Sequence, residues 1–125
     1  MNWQTISPHF TPSEIFSPDI LRANALHLVD IDALKKLNKL REILDAPCYV
    51  NHQRFLLRGV VSAREVISRG GAPLTMHVTG KAFDVSCYAR EIGEICVAAE
   101  QAGFTFIRPY RSWVHMDTRQ NVKLL

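Results

Sequence analysis

The sequence predicts an α+β fold, a small antiparallel sheet with helices packed on it, and three patterns carry that expectation. A helical apolar repeat fills much of the N-terminal third, short apolar runs with β-branched and aromatic residues occupy the second half, and another helical repeat separates those runs. At 125 residues the chain suits a single domain over 1–125, because two independent cores would each be marginal. Internal repeats and long linkers are absent from the sequence.

The elements follow in order. Thr11 precedes Pro12 and stands three residues before Glu14, the arrangement of a capping box with proline at the first helical position, so a short helix opens there. Over 30–44, Ile31, Leu34, Leu37, Leu40 and Leu44 recur at steps of three or four with Lys35, Lys36, Lys39 and Arg41 mostly between them, which predicts an amphipathic helix. Asp45-Ala46-Pro47 ends it. The apolar, partly β-branched stretch 55–61 predicts a buried strand ending near Ser62, and a helical turn is expected at 64–68. Gly70-Gly71-Ala72-Pro73 marks a loop leading into Thr75-Met76-His77. A strand is expected over 82–87. Ile92, Ile95, Cys96 and Ala99 lie on one face of a helix over 91–101, with Gly103 as its C-terminal cap. Strands over 104–107 and 113–116, joined by Arg108-Pro109-Tyr110-Arg111, close the domain as a hairpin.

Composition narrows the function. Apolar residues at 47% and charged residues at 22% match ordinary globular usage, which predicts a soluble chain and excludes disorder. No apolar run reaches membrane length, and the opening Met1-Asn2-Trp3-Gln4 sequence carries neither a secretory signal nor an anchor, so no membrane partner is expected and any export takes another route. A dispersed net charge of +3 argues against a nucleic-acid partner, though it mildly favours an anionic polymer. Cys48, Cys87 and Cys96 form no CxxC pair and read as buried thiols.

The densest chemistry lies between His77 and Asp84, with His115 further on. Two imidazoles and one carboxylate are the donor set of a catalytic zinc site with its fourth position open to water or substrate, and they also admit other divalent transition metals. Gly80 allows a sharp turn between the first two donors, and small Ala82 allows close approach of another chain segment. Spacing alone leaves a structural histidine as the alternative.

Two motifs go further. Thr75-Met76-His77-Val78-Thr79-Gly80-Lys81-Ala82-Phe83-Asp84 resembles the Ser-x-His-x-x-Gly-x-Ala-x-Asp pattern of the zinc D-Ala-D-Ala carboxypeptidases and peptidoglycan endopeptidases, whose relatives include phage endolysins and the hedgehog domain. Only threonine for serine departs from it. Trp113-Val114-His115-Met116-Asp117 is similar to that family's later His-x-Asp or His-x-His strand. Val61-Ser62-Ala63-Arg64 resembles a shortened Ser-Gly-Tyr-Arg segment, Gly70-Gly71 its glycine loop, His9-Phe10-Thr11-Pro12-Ser13-Glu14 its entry, and Asp117-Thr118-Arg119 its ending.

The resemblance implies a zinc site on the sheet, with His77, Asp84 and His115 as ligands, Zn2+ as cofactor, and hydrolysis of peptide bonds in peptidoglycan stem peptides or cross-links by a monomer. Zinc would polarise the scissile carbonyl and acidify water. Arg64 would pair with the substrate carboxylate, its alternative being a solvated surface arginine. Thr75 either hydrogen-bonds substrate or shapes its loop. Family members commonly carry a base two to six residues before the last zinc histidine, but Pro109, Tyr110, Arg111, Ser112 and Trp113 offer none. Asp117, on the same strand face as His115, is the candidate base, with orientation of a zinc histidine or pairing with Arg119 as equal alternatives. Tyr110 and Trp113 are candidates to donate to an oxyanion and to line the cleft, against a place in the core. His9, His27 and His52 read as surface or capping residues and Glu65 as an exposed carboxylate. The expected setting is cytoplasmic in the producing cell with release to the wall by a non-signal route, or phage-associated. A catalytically inactive, zinc-stabilised wall-binding or virion structural module is the competing function.

Overall fold

The computed structural model describes residues 2–71 and 75–120. The N-terminal part is helical: α1 (Trp3–Ile6), α2 (Pro12–Ile15), α3 (Pro18–Arg22), a 3-10 turn at Leu26–Leu28, and the long α4 (Ile31–Leu44). Each of the longer starts has a local cause. Asp30 caps α4 by accepting from the Ala33 amide, and Thr11 and Glu14 make the capping box that the sequence predicts for α2. Leu34, Leu37, Leu40 and Leu44 form the buried face of α4.

After α5 (Ala63–Ser68) come β1 (Ala82–Val85), α6 (Ile92–Ala102), β2 (Phe106–Pro109) and β3 (Val114–Asp117). The strands form one antiparallel sheet in the order β1-β3-β2, so the architecture is α+β. One sheet face is core. Phe83, Val85, Val114 and Met116 point there and are fully buried beside Leu34, Leu37, Ile95 and Ala99 of α4 and α6, which pack on each other. Alternation sends Ala82, Asp84, His115 and Asp117 to the other face.

Two strand expectations need correction. The run 55–61 is no strand of the sheet: Gln53 turns the chain with φ 56°, Phe55 and Leu56 are exposed, and isolated bridges alone join Phe55 to His52 and Val60 to Phe16. Its backbone bonds are divided between neighbours, with Arg58 O accepting from the Asp84 amide and Val60 N donating to Ile15 O, so no ladder can form with either. The strand expected over 104–107 begins two residues later, because Gly103 (φ 107°) and Phe104 close α6 through bonds to the carbonyls of Glu100 and Ala99. Pro109 lacks an amide hydrogen and lies on edge strand β2, where that lack is tolerated. Of the expected Gly-Gly-Ala-Pro loop, Ala72 and Pro73 lie outside the described residues. Glu65 is not a free carboxylate: it completes a capping box with Ser62 and accepts from Ser17 Oγ and the Asp19 amide.

Candidate metal centre

Strand register brings two donors together. Asp84 of β1 is paired directly with His115 of β3, and their side chains share the non-core face. His77 arrives from the tight turn 76–80. Gly80 holds φ +75° there, and a Cβ on it would stand 2.0 Å from Leu28 O, so the turn docks against the segment leading into α4 only because residue 80 is glycine. The Gly80 carbonyl accepts from the amide of Asp30, the α4 cap.

The donor atoms of His77, Asp84 and His115 lie within 4.8 Å of one another. Asp84 Oδ1 is 3.3 Å from His77 Nε2 and 3.0 Å from His115 Nδ1. Ligands at about 2.0–2.1 Å from a tetrahedral zinc stand roughly 3.3–3.4 Å apart, which the two separations from Asp84 approach.

The outer partners fix which nitrogens face inward. His77 Nδ1 donates to Gly59 O at 2.9 Å, which turns Nε2 toward Asp84. His115 Nε2 donates to Asp117 Oδ2 at 2.7 Å, which leaves Nδ1 for the centre. Both histidines are thus backed by a carbonyl or carboxylate, the usual support of metal-bound imidazole. Asp117 is fully buried and accepts in addition from the Arg119 amide, Nε and Nη2 at 3.0, 2.9 and 2.7 Å. The Arg119 guanidinium rests over the Phe106 ring, 3.7 Å from its centroid.

Electrostatics follow from these contacts. Burial would raise the Asp84 carboxyl, but hydrogen bonds from His115 and His77 outweigh it and hold Asp84 at about 2. Burial would lower His115, yet Asp84 and Asp117 on either side raise it above its usual value. Burial likewise opposes ionisation of Asp117, and the Arg119 and His115 hydrogen bonds win, keeping it below the usual carboxylate range. When protonated, His115 would donate to both carboxylates, from Nδ1 to Asp84 and from Nε2 to Asp117, and a cation would take the place of the Nδ1 proton.

The group opens into a cavity of about 560 Å3 lined by Thr75, Met76, Tyr110, Trp113 and Arg119 as well as the three donors. Thr75, Tyr110 and Trp113 thus share one cavity wall with them, and the Tyr110 and Trp113 rings stack at 4.8 Å and 14°. Arg64 does not line this cavity. Its guanidinium is paired with Asp19 through Nη2 at 2.6 Å and Nε at 3.1 Å, and its side chain is 78% exposed. Asp117 does not line it either, and it touches the group only through His115 Nε2.

One contributor escapes sequence reasoning. Gly59 offers only a backbone carbonyl, which leaves no side-chain pattern to read, although a lone glycine in an apolar run signals close approach: a Cβ there would meet Ile15 O at 2.1 Å. The pairing of Asp117 with Arg119, one of the alternatives read from the sequence, is present alongside its bond to His115.

A His-Asp-His donor group with His77 buried and Asp84 and His115 half-buried, each imidazole oriented from behind and a cleft in front, has the features of a metallopeptidase centre. A family model described as Peptidase M15 matches residues 8–117, and the chain belongs to that family of zinc-dependent D-Ala-D-Ala carboxypeptidase-like enzymes. No curated protein and no solved structure matches the chain. Among the described residues, no helix is long and apolar enough to cross a membrane.

Proposed function

We propose that this chain is a single-domain zinc peptidase that hydrolyses peptide bonds in peptidoglycan stem peptides or cross-links. The observation that carries the reading is the convergence of His77, Asp84 and His115 at the base of an open cleft in a chain of the M15 family. Bound there, zinc supplies Lewis acidity toward a carbonyl and acidifies water. The chain's own residues do the rest. Asp84 stays ionised, Gly59 O and Asp117 hold protons on the outward nitrogens of His77 and His115, and the Thr75 and Tyr110 hydroxyls line the cleft as donors for a developing oxyanion. The stacked Trp113 and Tyr110 rings give an extended peptide a flat wall.

One observation favours the inactive-module reading. Among the described residues Asp84 is the sole carboxylate lining the cleft, and Asp117 has both oxygens occupied. The test is release of new amino and carboxyl termini from purified peptidoglycan by zinc-loaded protein, with a chelated sample and His115→Ala alongside. Release that requires zinc and His115 supports the peptidase. Stoichiometric zinc with wall binding and no new termini supports the module.

A further inference from the structure

We infer that Arg58, in a second cavity beside the metal centre, is the specificity-determining residue that binds a free carboxylate of the peptide substrate. The substrate class rests on the peptidase reading, while the site itself rests on the following geometry.

A cavity of about 320 Å3 adjoins the cleft and shares Asp84 and Trp113 with it; Arg54, Phe55, Arg58 and Arg69 line its remainder together with two leucines. Its size falls at the small end of the roughly 300–1,000 Å3 typical of ligand pockets, which suits an end group or one side chain rather than a length of polymer. Among the described residues, three arginines and one carboxylate line the cavity, and that carboxylate, Asp84, has its Oδ1 already turned to the two histidines. The cavity therefore has an excess of positive charge next to the reacting centre, and an anion is the complementary ligand.

Arg58 stands apart from the other two arginines of this cavity and from Arg64 and Arg119. Arg64 is held by Asp19 and Arg119 by Asp117, so the donor edges of both are already occupied. Arg54 and Arg69 are exposed, and Arg69 is spent in part on the Leu57 carbonyl. Arg58 is half-buried, its guanidinium carbon lies 4.5 Å from the Phe55 centroid and 4.7 Å from that of Trp113, and among the described residues it has no carboxylate within 4.0 Å and no side-chain hydrogen bond. Ring contacts hold a guanidinium without consuming its N–H groups, which remain free to grip a carboxylate by two parallel bonds.

The backbone fixes this cation relative to the donors. The Arg58 amide donates to Asn51 Oδ1 at 3.1 Å, and the Arg58 carbonyl accepts from the Asp84 amide at 2.8 Å. Asn51 is buried and tied by its Nδ2 to Phe16 O. The next residue, Gly59, supports His77. Arg58 is thus one peptide unit from each of two metal-site contacts, and a carboxylate on it sets the distance from the charged group to the peptide bond presented at the centre. Recognition that Ser62-Ala63-Arg64 would supply by resemblance has moved to the segment before it, because Asp19 removes Arg64 from that work.

The experiment uses two matched pairs of synthetic peptides. One pair differs only in a C-terminal carboxylate against a carboxamide, the other only in an internal glutamate against glutamine. Binding to chelated protein is measured by calorimetry and kcat/KM on zinc-loaded protein, for wild type, Arg58→Gln, Arg58→Lys and Arg64→Gln. Wild type is expected to prefer the carboxylate member of one pair by roughly 10–100-fold, and the pair that shows the preference distinguishes a chain terminus from a side chain. Arg58→Gln should cut the preference to below about threefold, Arg58→Lys should leave an intermediate value, and Arg64→Gln should keep the wild-type value. Should Arg58→Gln fail to fold, Arg58→Lys decides alone, and an undiminished preference in it overturns the assignment. So does a wild type without preference in either pair, or a preference lost in Arg64→Gln. Turnover without preference removes the Arg58 site and leaves the peptidase. Calorimetric preference that depends on Arg58, without turnover of any peptide, removes the peptidase and leaves the site.

Discussion

Replacing Asp117 by asparagine separates a positioning role from proton transfer. The carboxylate accepts four hydrogen bonds, one from His115 at 2.7 Å and three from Arg119 at 2.7–3.0 Å. Asparagine keeps the shape and one acceptor, but its amide must face either His115 Nε2–H or the Arg119 fork, donor against donor. Charge-assisted bonds contribute about 1.5–3 kcal/mol each. Arg119 is 40% exposed and can turn to water, which discounts its share. The net loss should be about 2–4 kcal/mol, and at roughly 4 °C per kcal/mol for a chain of this size the metal-free Tm should fall by about 8–16 °C. Loss of the carboxylate behind a metal-bound imidazole should weaken zinc binding about 10–100-fold. Chelator competition gives the affinity, thermal unfolding gives the stability, and turnover is then read at saturating zinc, where most activity should return. An Asp117→Asn protein with wild-type zinc affinity and Tm but no turnover at saturating zinc would behave as one lacking its general base, and the positioning argument would be refuted.

Other expectations follow from the same geometry. Gly59→Ala places a Cβ 2.1 Å from Ile15 O, a backbone atom with nowhere to go, so it should lose about 2–3 kcal/mol of stability and also bind zinc less tightly as the carbonyl behind His77 shifts; equal zinc titrations for mutant and wild type would count against that link. The raised His115 pKa gives the metal-free fold a proton-linked stabilisation that is complete below about pH 6.5 and is lost as pH rises through the folded value. Zinc displaces that proton, so its apparent affinity should climb about tenfold per pH unit up to the same value and then flatten, whereas a slope of zero below it would contradict the assignment of Nδ1 as donor. Leu37→Ala, in a fully buried position of α4, should cost about 2–5 kcal/mol in denaturant unfolding while leaving zinc stoichiometry of the folded protein unchanged.

The sequence was most legible where a local rule decides the structure. Asp30 and the leucine repeat define α4, and Gly103 ends α6, because capping and helical periodicity act within a few residues. The run 55–61 misled because apolar, β-branched composition says nothing about where backbone bonds go, and here they go to Ile15 and Asp84 rather than to one ladder. The Ser62-x-x-Glu65 box was readable and should have removed Glu65 from the exposed carboxylates. Convergence of His77, Asp84 and His115 was legible through motif order, whereas the partnership of Arg64 with Asp19, 45 residues away, carries no local mark. The Gly59 carbonyl behind His77 and the place of Arg58 between the Phe55 and Trp113 rings depend on tertiary approach alone.

The pairing of Asp84 with His115 has a consequence for assembly. Each strand is only four residues long, and a slip of one residue between β1 and β3 would turn one donor into the core and bring an apolar neighbour such as Phe83 or Val85 outward. A misthreaded sheet therefore has no nest for the ion, and tight uptake selects the correctly aligned molecules from any mixture. Zinc content per chain would then count correctly registered β1–β3 pairs, so the ion would proofread its own binding site.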